Sequence, residues 1–185
     1  EPLLILASGL KVKRFPNCGS AHRAMDGLLA LMSAYGFGVG EVAAIHVHAP
    51  RSHLNNLMYT APETALQAKF SLEYALAVLL RTGNCTLSDF TDAAAADPAT
   101  HALFARIHRH PVDKAEGEFP TRVEVELCDG RRFATAVAMP VGSLAAPLSP
   151  EDHARKFDGC VAGHLAPDEA AAVKQALGEM IALPS

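Results

Sequence analysis

The segment KRFPNCGSAHRAMDG, residues 13–27, gathers side chains capable of chemistry just ahead of a helical pattern. Pro16 disfavours helix in the residue before it, and Gly19 permits a sharp approach to a helix that starts near Ser20. Backbone N–H groups at such a helix start favour a bound anion, and Lys13 adds a formal positive charge. The arrangement suits a substrate carboxylate.

His22 falls in the first turn of this helix, where an imidazole could give or take a proton near neutral pH. The simpler interpretation is structural. In it, Lys13 and Arg14 are surface charges, Cys18 is buried filler and His22 is a half-exposed helix residue. Without further support the residue types favour this simpler interpretation.

Composition sets limits on the class of protein. Half of the 185 residues are hydrophobic and 19% are charged, which excludes a disordered tail. The net charge of −4 shows no basic excess, so a nucleic-acid partner has no electrostatic support. No apolar run approaches the roughly 20 residues that span a bilayer, and no membrane partner is expected.

The four cysteines lie far apart, at positions 18, 85, 128 and 160, with no C-x-x-C pair to suggest zinc or redox chemistry. We expect reduced thiols in a cytoplasmic protein. Cys18 and His22 are spaced i, i+4, so a thiolate–imidazolium pair with a cysteine nucleophile is an alternative enzyme mechanism.

Apolar periodicity predicts the elements of the first half of the chain. The pattern favours a helix over 20–35 ended by glycines, and a strand over 42–48 with Ala43, Ile45 and Val47 on one face. An irregular loop follows over 50–62. The spacing then predicts one buried helix over 64–81, with Leu66 and Phe70 on its apolar face, closed by a glycine.

Cap and turn residues organise the second half. Asp97 is placed as the N-cap of a helix with proline at its first position, and residues 121–137 form a hairpin around a two-residue Asp129-Gly130 turn. Ser149 caps a further helix, and Pro167 begins the last one. Helices with an antiparallel hairpin predict an α+β fold, a two-layer sandwich of helices on a mainly antiparallel sheet.

Several histidines are candidate metal ligands. His46 and His48 share one strand face, but no third ligand at a recognised spacing accompanies them, so a solvated strand face is favoured. His108 and His110 are interpreted as structural residues that flank a helix end, where a cation suits the dipole. We expect no metal and no other cofactor.

Five landmarks run in the order found in the MmgE/PrpD family, over nearly the whole chain. They are GLKVKRFPNCGSAH at 9–22 with Asp26 behind it, QAKFSLEYALA at 67–77, FTDAAAADP at 90–98, VEVELCDGR at 123–131 and PLSPEDHARKF at 147–157. The chain resembles the second, C-terminal domain of that family, which includes 2-methylcitrate dehydratase, cis-aconitate decarboxylase and iminodisuccinate epimerase.

The resemblance implies that residues 1–185 form the α+β domain 2, and that an all-helical domain 1 lies upstream and is absent from this chain. The chain begins with Glu1 rather than Met, which fits a piece of a longer protein. The family's chemistry is cofactor-free proton movement on small di- and tricarboxylates, in a cleft between the two domains. The resemblance further implies a cytoplasmic homodimer with a place in propionate catabolism.

By the same resemblance, Lys13 and His22 are the catalytic residues that this domain contributes to the cleft. Abstracting a proton next to a carboxylate builds negative charge, which a lysine and the amides of a helix start stabilise, while a histidine moves the proton. Further residues are expected to bind substrate: Arg14, Cys18, Gly19, Ser20, Asn56 and Lys69.

Two departures bear on the reaction. The decarboxylases resemble K-R-F-P-A-H, whereas this chain has Asn17-Cys18, as the dehydratase-like members tend to have; near Asn56 the decarboxylases carry a tyrosine. Both weigh against a decarboxylase, and neither chooses between a dehydratase and an epimerase. The function we expect is that of a 2-methylcitrate dehydratase-like hydro-lyase. Iminodisuccinate epimerase-like and cis-aconitate decarboxylase-like activities, and a non-enzymatic α+β interaction module, stay open as alternatives.

Overall fold

The computed structural model describes residues 10–113 and 119–181. The chain divides into two compact units, Glu1–Leu148 and Ser149–Ser185. The first unit holds the sheet and the hydrophobic core, and the second is built from two helices.

A four-stranded sheet forms one layer of the first unit. Its strands are β1 (Val42–Pro50), β2 (Ile107–Val112), β3 (Thr121–Leu127) and β4 (Arg132–Val137), in the order β2-β1-β3-β4. β1 runs parallel to β2 and antiparallel to β3, and β3 pairs antiparallel with β4. The sheet is mixed but mostly antiparallel, and the helices packed on it confirm the predicted α+β class.

Buried and more exposed residues alternate along the central strands, which shows which face of the sheet packs against the core. Ile45 and Val47 on β1 are buried, as predicted. The expectation that Ala43 shares their face is wrong, because the pairing register with β3 shifts between Val42 and Ala44. This bulge buries Val42 and leaves Ala43 exposed.

Helix α1 (His22–Tyr35) covers β3 and β4, and a 3₁₀ turn over Gly19–Ala21 leads into it. Met25 and Leu28 on its inner face are buried. The helix ends at Gly36, whose φ of +68° is the left-handed conformation that favours glycine. The predicted helix over 20–35 is confirmed.

The segment after β1 differs from the prediction of an irregular loop. It contains a short helix, α2 (Arg51–Asn56), which packs against β1 and β2. Pro50 is the N-cap residue of this helix and makes no side-chain capping hydrogen bond. The helix places His53 near the start of α1.

The single helix predicted over 64–81 is instead two helices, α3 (Ala65–Ala68) and α4 (Leu72–Thr82). Ser71 separates them, because its hydroxyl accepts a hydrogen bond from the Tyr74 N–H at 3.1 Å and so caps a new helix. Leu66 and Phe70 fall on or before this break and are exposed, so their predicted burial is wrong.

Two short helices follow, α5 (Asp92–Ala95) and α6 (Pro98–His101). Asp97 caps α6 as predicted, accepting from the Ala99 N–H at 3.2 Å. α6 packs against α4, which in turn packs against α1. Helices and sheet thus enclose one hydrophobic core.

The β3–β4 hairpin is confirmed, but its turn is one residue longer than predicted. The Leu127 N–H donates to the Arg131 carbonyl at 2.9 Å, which leaves residues 128–130 as the loop. The Gly130 N–H donates to the Leu127 carbonyl at 2.9 Å, and Gly130 has φ +86°. This is a type I turn followed by a left-handed glycine, the usual three-residue hairpin loop.

The second unit contains α7 (Pro150–Val161) and α8 (Pro167–Ile181). The Ser149 hydroxyl accepts from the Asp152 N–H at 3.0 Å, so the predicted cap is confirmed. Lys174 on α8 donates to Asp158 on α7 at 2.8 Å. Across the described part of the chain, none of the helices is both long and apolar enough to cross a membrane.

Candidate functional site

A cavity of about 390 Å³ opens at the start of α1. Its lining comes from residues 11–13, which we call one wall, from residues 139–143, a second wall joined to the first by the hydrogen bond from the Val12 N–H to the Gly142 carbonyl, from the helix start with His22 and Arg23, and from His53 of α2. This volume lies within the range of about 300–1,000 Å³ that is typical of small-molecule sites. We call it the cation-lined cavity.

The charges around the cavity are of one sign. Lys11, Lys13 and Arg23 contribute formal positive charges, and His22 and His53 contribute imidazoles. No Asp or Glu belongs to the lining among residues 10–113 and 119–181. The lining therefore carries an excess of positive charge, although the net charge of the whole chain is −4. This positive charge makes the cavity suited to an anion.

The helix start adds a second source of positive potential. The N-cap residue of the 3₁₀ turn, Cys18, and that of α1, Ala21, make no side-chain capping hydrogen bond, and the first turn of α1 contains no acidic residue. Gly19 and Ser20 of this uncapped start line the cavity. Uncapped N–H groups at a helix start bind carboxylates and phosphates.

Lys13 and His22 line the same cavity. The Lys13 ammonium donates to the Asn17 carbonyl at 3.1 Å, which orders the turn between the two residues. His22 is 3% exposed, and its ring meets the ring of Phe15 edge to face with centroids 5.4 Å apart. Their catalytic roles stay predictions.

Of the six residues expected to bind substrate, Gly19 and Ser20 line the cavity. Asn56 lies beside it, since its amide donates to the Ser20 hydroxyl at 3.1 Å. Ser20 is therefore positioned by the last residue of α2. This contact links two segments that are 36 residues apart in the sequence.

The remaining three residues have structural contacts and lie outside the cavity lining. Arg14 forms an ion pair with Asp26 at 3.0 Å. The Cys18 N–H donates to the Lys69 carbonyl at 2.9 Å, so the short segment that connects α3 to α4 supports the turn ahead of α1. These contacts position the site rather than contribute side chains to its lining.

The cysteine-nucleophile alternative concerns Cys18, which is half-buried and packs against the hydrophobic core. Cys85 provides a reference thiol, because burial raises its pKa to about 12 and keeps it protonated at neutral pH. A nucleophilic Cys18 should react with iodoacetamide well before Cys85 and also before Cys128 and Cys160, which are exposed. The alternative stays a hypothesis.

Sequence reasoning missed four parts of the site: Lys11, Arg23, His53 and the wall 139–143. Arg23 directly follows His22, and its guanidinium donates to the Phe119 carbonyl at 2.9 Å. No periodicity marks the wall, which is brought to the cavity by contacts across more than 100 residues of sequence.

One buried polar atom on the wall 139–143 suits a polar occupant of the cavity. The Ser143 hydroxyl lines the cavity and is buried, yet it has no hydrogen-bond partner among the described residues. Buried polar groups are nearly always paired, so an unpartnered hydroxyl at a cavity is consistent with a ligand or water that completes it.

The histidines of the sheet lie elsewhere. The expectation that His108 and His110 flank a helix end is wrong, because they belong to β2 and pair in register with His46 and His48 of β1. The four imidazoles stack on the sheet face away from the core, and His46 Nδ1 lies 3.0 Å from His110 Nε2. Among the described residues, no group of three or more His, Cys, Asp or Glu is arranged to hold a metal ion.

The fold and the cavity together define an α+β domain with a cation-lined cavity, whose charge suits a small anion. The comparison with protein families gives this class a name: residues 15–179 match the model of the MmgE/PrpD C-terminal domain. The chain therefore belongs to the MmgE/PrpD family, which includes dehydratases and related enzymes. The matched range begins two residues after Lys13 and contains His22. A search of curated proteins finds no match to the chain.

Proposed function

We propose that this domain forms one side of the active-site cleft of a cofactor-independent lyase or isomerase that acts on di- or tricarboxylates. The particular activity we propose is that of a 2-methylcitrate dehydratase-like hydro-lyase; Asn17-Cys18 supports it against a decarboxylase, and an iminodisuccinate epimerase-like activity stays the alternative. The observation that carries the proposal is the cation-lined cavity, whose described lining holds three cations and two imidazoles and no carboxylate.

Binding of the substrate falls to the groups that offer positive potential. Lys11 and Arg23 neutralise substrate carboxylates, and the uncapped backbone N–H groups near Ser20 donate hydrogen bonds to a further carboxylate. A carboxylate loses much of its hydration when it enters a cavity, and these donors replace the lost water contacts. The more carboxylates a ligand carries, the more of these donors it can use.

The chemistry falls to Lys13 and His22. Removing a proton next to a carboxylate delocalises negative charge onto that carboxylate, and the Lys13 ammonium stabilises the charge as it develops. His22 transfers the proton, or protonates the hydroxyl that leaves in a dehydration. Groups on the other side of the substrate come from the helical domain expected in the whole protein.

Anion binding by the 185-residue chain is the direct test. We expect calorimetric titration to show citrate binding more tightly than succinate, and succinate more tightly than acetate. Lys13→Gln should weaken citrate binding by about tenfold, the equivalent of roughly 1.4 kcal/mol for one lost charged contact. Lys156→Gln is the matched control, since Lys156 lies in α7 of the other unit, and it should leave the affinity unchanged.

The outcome that contradicts the proposal is equally specific. If the chain binds none of the three carboxylates at millimolar concentration, or binds them equally well after Lys13→Gln, the cavity is not the substrate site. Circular dichroism of each variant excludes misfolding as the cause.

A further inference from the structure

Asp26 forms hydrogen bonds to Arg14, which follows the wall 11–13 of the cation-lined cavity, and to the wall 139–143. We infer that Asp26 is a positioning residue that fixes these two walls relative to each other, and so sets the shape of the anion that the cavity accepts. The inference rests on the proposed function only in taking the ligand to be a carboxylate. It assigns Asp26 no contact with the ligand.

The two oxygens of the Asp26 carboxylate bond to different walls. Oδ1 accepts from Nη1 of Arg14 at 3.0 Å, and Arg14 directly follows the wall 11–13. Oδ2 accepts from the Val141 N–H at 2.8 Å, on the wall 139–143. One side chain thus joins segments that are more than 100 residues apart in the sequence.

Asp26 is itself held by a rigid element. It lies on α1, between Met25 and Leu28, whose side chains are buried in the core against the sheet. Asp26 is 7% exposed, and a buried carboxylate is stable only when donors replace its water. Hydrogen bonds to a charged partner in such surroundings are short and strong, so both walls take their position from α1.

A second connection joins the same two walls directly. The Val12 N–H donates to the Gly142 carbonyl at 2.8 Å. Gly142 has φ +94°, and a Cβ placed on it would lie 1.8 Å from the Val12 carbonyl oxygen, so no other residue fits there. Lys13 lies between Val12 and Arg14, and its backbone is therefore fixed on both sides.

The size of the ligand separates a positioning role from a merely structural one. The affinity for a ligand that contacts both walls depends on how the walls are placed relative to each other, whereas the affinity for a ligand that contacts a single wall does not. In the 185-residue chain, Asp26→Asn should weaken citrate binding by about tenfold or more and change acetate binding by less than about threefold. An asparagine keeps the shape and one acceptor oxygen but loses the charge that attracts Arg14.

Asp113→Asn is the matched control. It removes the charge of another Asp–Arg pair, that of Arg51, which lies outside the cavity lining. We expect it to leave both affinities unchanged. Equal loss of citrate and acetate binding in Asp26→Asn would show a general loss of structure and overturn the inference.

Amide hydrogen exchange gives a readout that needs no ligand. Asp26→Asn should speed the exchange of the Val141 and Val12 amides, because the walls lose their shared anchor. Unchanged exchange at both amides overturns the inference even if the chain binds citrate. If the wild-type chain binds no carboxylate, the proposed function fails, but faster exchange at these two amides still supports the connection through Asp26.

Discussion

The guanidinium of Arg109 on β2 pairs with the carboxylate of Glu73 on α4, with Arg109 Nε 2.6 Å from Glu73 Oε1. A second guanidinium N–H donates to the other carboxylate oxygen, so the pair is bidentate. The same guanidinium donates to the carbonyls of Leu57 and Tyr59. One partly buried cation therefore joins the edge strand, a core helix and the segment that follows α2.

We predict that Glu73→Gln strongly destabilises the first unit. Glu73 is 4% exposed, and the substitution leaves the partly buried Arg109 charge, with a side chain that is 18% exposed, without its counter-ion. Breaking a buried ion pair from one side typically costs about 3–5 kcal/mol in the free energy of unfolding, and we expect the lower end of this range because Arg109 keeps some contact with water. Urea denaturation measures this change.

The exposed pair of Arg51 and Asp113 provides the comparison, since both of its side chains are more than half exposed. Asp113→Asn should leave the urea midpoint nearly unchanged. Equal midpoints for Glu73→Gln and Asp113→Asn would contradict the role given to the buried pair.

The sequence predicts helix α1 but not strand β2, and the residues of each show why. The spacing of Met25 and Leu28 indicates a helix, because the side chains that are buried on one side of a helix recur with its period. β2 contains Pro111, which lacks an N–H and usually argues against a strand. The structure tolerates Pro111 because β2 is at the edge of the sheet.

The candidate site was predictable only in its local part. The segment 13–22 carries Lys13 and His22 within ten residues ahead of a helix, which made them candidates, and the resemblance to the family assigned them to a site. His53 and the wall 139–143 reach the cavity through tertiary contacts, such as the Asp26 bond to the Val141 N–H. No local pattern encodes such a contact, and a single sequence does not reveal it.

Gly27 should not tolerate alanine. A Cβ at this position of α1 would lie 2.8 Å from Cγ2 of Val123, a stiff and fully buried side chain on β3. Overpacking of this kind costs about 1–3 kcal/mol, which exceeds the gain in helix propensity. We expect Gly27→Ala to lower the thermal midpoint of the first unit.

Gly159 is the matched control, because it also lies inside a helix, α7, but a methyl group added to it would meet no other described segment within 4 Å. Gly159→Ala should stabilise its helix by about 0.5–1 kcal/mol. Effects of the same sign for Gly27→Ala and Gly159→Ala would show that helix propensity, rather than the close approach of α1 to the sheet, decides the outcome.

Four histidines, His46, His48, His108 and His110, form what we call the histidine face of the sheet. This face should make the free energy of unfolding depend on pH between 5 and 7. Burial, followed by the neighbouring His48, His46 and His108, lowers the pKa of His110 below its usual 6.5, while Glu124 on β3 acts in the opposite direction. The unfolded chain then binds more protons than the folded chain as pH falls below 6.5. The contribution of His110 to stability is present above pH 6.5 and is lost as pH falls through its lowered folded pKa.

The measurement is the urea midpoint at half-unit steps from pH 7.5 to pH 5, above the range in which Asp and Glu titrate. It should fall on acidification in the wild type and fall less in His110→Gln. His164→Gln changes an exposed histidine of the second unit and should keep the wild-type slope. Parallel slopes for wild type and His110→Gln would refute the link between the histidine face and acid lability.

The 185-residue chain should be catalytically silent on its own. Its cavity supplies cations, a proton-transfer group and helix-start amides, but the proposed chemistry needs these held against partners on the other side of the substrate. Losing those partners forfeits orientation, which is worth roughly 7–11 kcal/mol, and with it the closed, preorganised surroundings of an active site. Assays with 2-methylcitrate, cis-aconitate and iminodisuccinate test this directly.

In a protein that also carries the helical domain, Lys13→Ala should reduce turnover by about 10²–10³-fold, because it removes the charge that stabilises the developing anion. His22→Ala should cost about 10²–10⁴-fold through the loss of proton transfer. Both variants should keep the wild-type circular dichroism spectrum, and which of the three substrates is turned over identifies the reaction. Robust turnover by the 185-residue chain alone would place the whole active site within this domain, and the assignment of Lys13 and His22 to one side of an interdomain cleft would then be wrong.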